Sequence, residues 1–231
     1  MLFAIRPGRQ ADVTLCGAIA QAAFAPSPLI ENISPATEDL ALAFCSGVAQ
    51  SALDNPNAHL VVAEDTSQSG SSPPVLVGFA KWVFVPERGE LPSLLASAAE
   101  AGTARGAGVE DDNAEGEKGQ NLWETVTNAE LAKEYFGRQH ERHERYMGSR
   151  RHWYLELIAT QREVKGLGAG RRLVQCGLDK VDEDGCEAYL EASPEGKGLF
   201  ERFGFRVVKK LEYADGAYVE CCMIRDGKKG I

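Results

Sequence analysis

The chain has 231 residues, of which 44% are apolar and 26% charged, and carries a net charge of −9. It is long enough to bury the core of one domain with an elaboration. The acidic balance excludes a general nucleic-acid binder, which needs a basic face, and no apolar run approaches the roughly 20 residues that span a bilayer.

Met1-Leu-Phe-Ala-Ile-Arg6 lacks the charged, apolar, small-residue order of a secretion signal. The six cysteines show no Cys-x-x-Cys spacing and read as reduced core thiols. Both observations place the chain in the cytoplasm. Phe3 to Arg6 is a strand stopped by Pro7-Gly8. A helix follows from Asp12, with Leu15, Ile19, Ala22 and Ala23 at helical period, closed by Pro26 and Pro28. A second helix runs from Thr37 to Leu53, with Glu38 and Asp39 at the positive end of its dipole. Leu40, Phe44 and Val48 form its buried stripe. His59 to Glu64 and Val75 to Phe84 read as an antiparallel strand pair, joined by a Ser-, Gly- and Pro-rich loop.

From about 86 to 126 the composition changes to Ala-Gly repeats and an acidic cluster at Glu110 to Glu117. Such a stretch buries too little surface to offset its ordering entropy, so we expect a flexible insert, with a short helix allowed at Leu91 to Ala101, in one domain over 1–231. Thr127 and Glu130 form a capping box for a helix from Asn128 to Arg145, with Glu134/Arg138 and Glu141/Arg145 as ion pairs; Gly148 ends it. A strand from Trp153 to Ala159 leads through Gly166, Gly168 and Gly170 into a helix from Ala169 to Val181. Its inner face is Leu173, Val174, Gly177, Leu178 and Val181, and Asp184-Gly185 stops it. Ala188 to Ala192 is a strand, and Gly196 to Phe203 a short helix capped by Gly204. Arg206 to Tyr213 and Ala217 to Ile224 meet in a hairpin at Asp215-Gly216. The class is α/β: a mixed, mostly antiparallel sheet with a central parallel β-α-β unit and flanking helices.

The glycine loop carries the chemistry. Glycines between a strand and a helix let successive main-chain N–H groups approach an anion at the positive end of the helix dipole, and Lys165, Arg171 and Arg172 add cations. A pyrophosphate is the expected guest. The Walker pattern is absent, and G-x-G-x-x-G is broken because position 171 is Arg. What fits is [Q/R]-x-x-G-x-[G/A], here Lys165-Gly-Leu-Gly168-Ala-Gly170.

This segment resembles the coenzyme A loop of the GNAT acetyltransferase superfamily. Two further matches accompany it: the strand-helix segment from Tyr189 to Gly204-Phe205, and the β-α-α-β-β opening with Ile5-Arg6-Pro7 and Ala11-Asp12. Met147-Gly148 followed by His152-Trp-Tyr-Leu is most similar to a group of fungal GNAT proteins. The resemblance covers 3–84 and 127–225. It implies acetyl-CoA as acyl donor, cradled by the main chain of Lys165, Gly166, Leu167, Gly168, Ala169 and Gly170 beside Arg171. Ile158, Ala159 and Thr160 would pair with the pantetheine arm in a gap between the fourth and fifth strands, with Ser193 and Phe200 on its other side. Lys165 stands where the family usually has Gln or Arg.

Acyl transfer to an amine also needs a base and an acid for the leaving thiolate. Glu156 interrupts an apolar strand and, by strict alternation, faces the same side as Ile158; it is the candidate base, acting through water. Glu191 is the weaker candidate. The family often has Tyr at position 200, where Phe200 has no proton to give, so solvent, Tyr154 or Tyr218 would supply it. His140 and His143 lack a third metal ligand and read as a solvated or substrate-facing stripe, and His152 as a satisfied structural histidine; no metal is expected. The implied activity is direct acetyl transfer to a primary amine of a small molecule or peptide, by a monomer or homodimer without nucleic-acid or membrane partners. The alternatives are a catalytically weak acyl-CoA-binding or regulatory protein, favoured by Phe200, and O-acetylation of a hydroxylated metabolite.

Overall fold

The computed structural model describes residues 2–67, 75–87, 126–213 and 216–228. The acidic insert, the helix allowed at Leu91 to Ala101 and Asp215 lie outside the described residues. Among the described residues seven strands form one sheet in the order β1-β2-β3-β4-β5-β7-β6. They are β1 (Phe3–Pro7), β2 (Ala58–Asp65), β3 (Val75–Val85), β4 (His152–Thr160), β5 (Glu187–Ala192), β6 (Arg206–Tyr213) and β7 (Tyr218–Arg225). All neighbours are antiparallel except β4 and β5, whose parallel pairing is bridged by the helix α5 (Ala169–Asp184). The other helices are α1 (Val13–Phe24), α2 (Pro28–Ile33), α3 (Glu38–Asp54), α4 (Ala129–Met147) and α6 (Lys197–Arg202).

The helices fall into two layers. α5 and α6 cover one face of the sheet, where Leu173, Val174, Leu178 and Val181 pack on Ala80, Trp82, Trp153 and Leu155. Each of those helix side chains is fully buried and contributes about 1.5–3 kcal/mol by leaving water. α1 and α3 cover the opposite face over β2 and β3, and α4 continues that layer over β4, β5 and β7. Gly177 sets the distance of α5 from the sheet, because a Cβ there would drive into the Trp82 indole. Gly177→Ala is therefore expected to lower stability by about 1–3 kcal/mol through overpacking, read as a lower denaturation midpoint.

Several expectations need correction. Leu15 is 55% exposed, and the buried face of α1 is Val13, Cys16, Gly17, Ile19 and Ala20. The reason is close helix contact: a Cβ at Gly17 would collide with Ser46 of α3, so small residues define the interface. Leu40 and Phe44 are only half-buried; Phe44 turns to Phe136 of α4, with 6.1 Å between ring centroids. Pro28 does not merely close α1. It is the first residue of α2, whose N-cap Ser27 accepts from Ile30 N–H. Nor does Thr127 cap α4. Its main-chain N–H and hydroxyl both donate to the Ser34 carbonyl, and Asn128 caps by accepting from Leu131 N–H at 3.0 Å. The Glu134/Arg138 ion pair forms at 2.7 Å, whereas Glu141 and Arg145 form none among the described residues.

The Arg6 and Asp12 types also find their physical reason. Arg6 makes two bonds to the buried Asp12 carboxylate, at 2.7 and 2.9 Å, and a third to Glu64 at 2.8 Å. This clamp holds the first strand against the start of α1. It keeps the Asp12 carboxyl below the usual range, the Arg6 hydrogen bonds outweighing burial.

Candidate active site

The sheet opens in its middle. β4 and β5 pair from His152/Glu187 to Leu155/Leu190 and no further. Beyond that rung β4 stays with β3 as far as Thr160, while β5 stays with β7. A bulge helps to turn the strand: Trp82 faces Leu155 and Lys81 faces Leu157, so Glu156 has no partner on β3. Past the fork, Ile158, Ala159 and Thr160 keep their pairing to β3 and, among the described residues, have no strand on their other side. Main-chain groups that alternate toward the gap are available to an extended ligand.

The glycine loop closes one end of this gap. Gly166 and Gly168 hold φ of 79° and 99°, and a Cβ at either would meet nothing within 4 Å. Gly168 is the N-cap of the 16-residue α5 and offers no side chain to its first turn. Lys165 N–H and Leu167 N–H are engaged within the loop, to the carbonyls of Arg162 and Val164. Among the described residues, the amides of Gly166, Gly168, Ala169, Gly170 and Arg171 have no main-chain acceptor outside the helix, which supplies none to its first turn. The cradle is thus shifted from the expected run Lys165 to Gly170, by one residue at each end. Lys165 and Arg171 are exposed cations beside it, whereas Arg172 donates to the Phe3 carbonyl. An open cradle of five amides and two cations fits a diphosphate.

On the far side of the gap, Ser193 Oγ accepts from Gly196 N–H at 3.2 Å and so shapes the turn into α6. Phe200 is buried in the core, edge-on to Phe205 at 5.9 Å, and its neighbour Leu199 comes closest to Gly170.

Glu156 and Glu191 are the first residues past the last shared rung, one on each arm of the fork. The bulge cancels strict alternation, so Glu156 does not share the face of Ile158. Ile158 packs with the α5-side core, and the Glu156 carboxylate turns to the opposite face, 2.8 Å from Lys81 Nζ. Both side chains are sealed, at 0% and 1% exposure. Lys81 donates onward to Ser51 Oγ of α3 at 2.7 Å. Neither Glu156 oxygen has a hydrogen-bond partner among the described residues, and Oε2 meets Lys81 as an ion pair. Burial raises the Glu156 carboxyl above its ordinary range, with Lys81 pulling the other way.

Glu191 is more fully committed. It accepts from Arg142 Nε at 2.9 Å, Tyr189 Oη at 3.0 Å and Gln139 Nε2 at 3.1 Å, and the same Gln139 amide reaches Tyr154 Oη at 3.1 Å. Such a carboxylate is a structural anchor for α4. Arg142 also approaches Glu220 at 3.5 Å, and Tyr135 Oη donates to Glu220 at 2.9 Å. Two buried carboxyls thus share one guanidinium. Burial and then the Glu191 charge push Glu220 up to about 8.

The sign of the pH effect follows. Glu220 keeps its proton in the folded protein up to about 8, whereas an unfolded chain releases it near pH ~4.3. Its contribution to stability is complete below that lower value and is lost as pH rises through the upper one. Denaturation from about pH 5 to about pH 9 is expected to show wild-type stability declining relative to Glu220→Gln, which cannot ionise. A parallel course for the two proteins would refute a Glu220 carboxyl that stays protonated in the folded protein.

Sequence reasoning missed Lys81, Arg142 and Glu220. The signal for Lys81 was present: one lysine in the apolar run Val75 to Val85. His143 is 2% exposed, which overturns the solvated half of the expected solvated or substrate-facing stripe. Its Nε2 lies 2.7 Å from Nε2 of His152, whose Nδ1 meets the Arg150 carbonyl at 2.7 Å, so His152 is satisfied as expected. Among the described residues no group of three or more His, Cys, Asp or Glu could hold a metal ion, and no helix is long and apolar enough to cross a membrane.

A family model described as acetyltransferase (GNAT) domain matches residues 116–219, which span α4, the fork and the glycine loop. Solved structures match over nearly the whole chain. Arylalkylamine N-acetyltransferase 2 from Aedes aegypti is 10% identical with a TM-score of 0.61, covering 98% of this chain and 99% of its own. A structure described as histone acetyltransferase HPA2 and related acetyltransferase, from Corynebacterium glutamicum, is 20% identical with a TM-score of 0.57, covering 100% and 99%. Arabidopsis thaliana NAA60, solved with a bisubstrate analogue, is 13% identical with a TM-score of 0.57, covering 99% and 100%. At these identities the structures establish a shared fold. The family-model match makes residues 116–219 similar to a GNAT acetyltransferase domain.

Proposed function

We propose that this chain is an acetyl-CoA-dependent N-acetyltransferase that transfers the acetyl group directly to a primary amine of a small molecule or peptide. The observation that carries the reading is the coincidence of two features at one place. An open amide cradle on α5 lies at the end of a sheet fork, and a buried carboxyl with an unsatisfied oxygen stands at the fork's mouth.

Acetyl-CoA supplies an activated thioester. The amides of Gly166 and Gly168 to Arg171 hold its diphosphate, with Arg171 and Lys165 balancing the charge. The unpaired edge of Ile158 to Thr160 aligns the pantetheine arm as a missing strand would, and places the thioester carbonyl beside Glu156. Glu156 Oε1 takes the amine proton through a bridging water, which admits a base sealed from bulk solvent. Tyr154, one rung below the last shared pair of the fork, is the phenol assigned to give a proton to the departing thiolate. Burial and the nearby Glu191 and Glu156 charges keep that phenol protonated.

One observation favours a second reading. Phe200 is built into the core and brings no hydroxyl to the gap, as a binding protein with little turnover would have it. Calorimetry with acetyl-CoA, joined to a thiol-release assay over a panel of amines and alcohols, decides between them. Binding with amine-dependent release supports the enzyme. Binding without release supports the second reading, alcohol-dependent release an O-acetyltransferase, and no binding overturns all three.

A further inference from the structure

The lysine beneath Glu156 has no place in acyl transfer as set out above, yet the fold invests in it. Lys81 sits at the centre of the most apolar strand, flanked by Ala80 and Trp82, which both face the α5 core. Its own side chain takes the other face and is 1% exposed. An isolated ammonium there would be costly, and a buried lysine is tolerated only where it is paired and hydrogen-bonded. Both conditions are met. Glu156 supplies the charge at 2.8 Å, and Ser51 Oγ accepts at 2.7 Å while donating to the Val48 carbonyl at 2.9 Å. Ser51 is fixed by α3, Lys81 by Ser51, and the Glu156 carboxylate by Lys81.

The register gives this chain of contacts its consequence. Lys81 is opposite Leu157 and Trp82 opposite Leu155, so the bulged residue is the one that Lys81 holds. Without that cation, nothing among the described residues draws the carboxylate to the α3 face, and only burial acts on its proton. We propose that Lys81, held by Ser51, is a positioning residue that favours the charged form of the Glu156 carboxyl and aims it at the mouth of the fork. The proposal rests on the reading of Glu156 as the base.

The other titratable groups near this face leave the assignment to Lys81. Cys16 of α1 and Cys45 of α3 lie in the apolar cluster that includes Leu157, and burial pushes their thiols up to about 12 and about 11, so they stay neutral. Tyr154, on the same strand, is a protonated phenol. Glu191 stands on the other arm of the fork, and Arg142 of α4 joins it to Glu220 of β7. Asp12 is engaged by Arg6.

The test follows the Glu156 carboxyl itself and turnover side by side. Protein labelled with 13C at glutamate carboxyls is titrated by NMR, the Glu156 signal being assigned by its loss in Glu156→Gln. The pH profile of kcat/KM is recorded on the same proteins. In Lys81→Met the midpoint is expected to rise by about one pH unit or more, and the acid limb of kcat/KM to move with it. The rate should be about tenfold lower on that limb and recover at high pH. Lys81→Arg should keep the wild-type midpoint, and acetyl-CoA affinity should hold in both. Ser51→Ala, the milder change, should shift the midpoint the same way by less, and it serves should Lys81→Met not fold. An unmoved midpoint in a folded Lys81→Met, or in Ser51→Ala where Lys81→Met does not fold, overturns the proposal. A raised midpoint in a protein that turns over no amine upholds Lys81 as the residue that sets Glu156 and overturns the proposed function.

Discussion

Gly168→Glu is expected to abolish acetyl-CoA binding, with a loss of at least about a hundredfold in affinity by calorimetry. Two physical effects act together. The new side chain projects into the space that the glycine leaves open, where nothing lies within 4 Å of a Cβ. Its carboxylate then stands at the positive end of the α5 dipole, stabilised there in the free protein and repelling a diphosphate. A loss of about 2.7 kcal/mol already gives two decades. Strain is separable from this effect. The residue's φ of 99° disfavours any L side chain, and Gly168→Ala carries that strain, about 1–2 kcal/mol of stability, without the charge. The alanine variant should bind within about tenfold of wild type. Normal binding by the glutamate variant would move the cofactor site away from this loop.

Glu156→Gln is expected to lower kcat/KM by about two to four decades while the acetyl-CoA affinity holds. Lys81 keeps Ser51 Oγ as its acceptor in this variant, so the sealed ammonium retains a hydrogen-bond partner, though it loses the opposing charge. A modest drop in stability is therefore expected beside the kinetic loss, and unchanged cofactor binding shows that the fold has survived. The wild-type pH profile should rise as Glu156 loses its proton, at a pH above the usual carboxylate range because burial outweighs Lys81. Equal losses in cofactor affinity and in rate would instead make Glu156 a structural ion-pair partner.

The elements that the sequence made legible are those with short-range causes. Helical periodicity located α5, whose five expected inner residues are all buried, and positive-φ glycines marked its two ends at Gly168 and Gly185. The hairpin of β6 and β7 followed from its Asp215-Gly216 turn signal, and the antiparallel pair β2–β3 from two apolar runs joined by a Ser-, Gly- and Pro-rich connection. The readings that failed share a cause. Leu15 was expected inside α1 because it is large and in phase, but the helix meets α3 through Cys16, Gly17 and Ala20, and closeness selected small residues over apolar ones. Thr127 has the composition of a cap, yet a carbonyl distant in sequence, that of Ser34, claimed it.

The chain's own order of residues determined that a glycine turn opens a helix after a buried strand, because loop freedom and helix dipole act over a few neighbouring residues. It also determined that a carboxyl interrupts that strand. Which way the carboxyl points was decided only by the tertiary structure. A bulge is a mismatch between two strands, Lys81 lies 75 residues from Glu156 in the chain, and their 2.8 Å approach exists only once β3 and β4 have paired. The fork was decided in the same way, since it is the point at which β5 leaves β4 for β7, a choice among partners that no single strand can make.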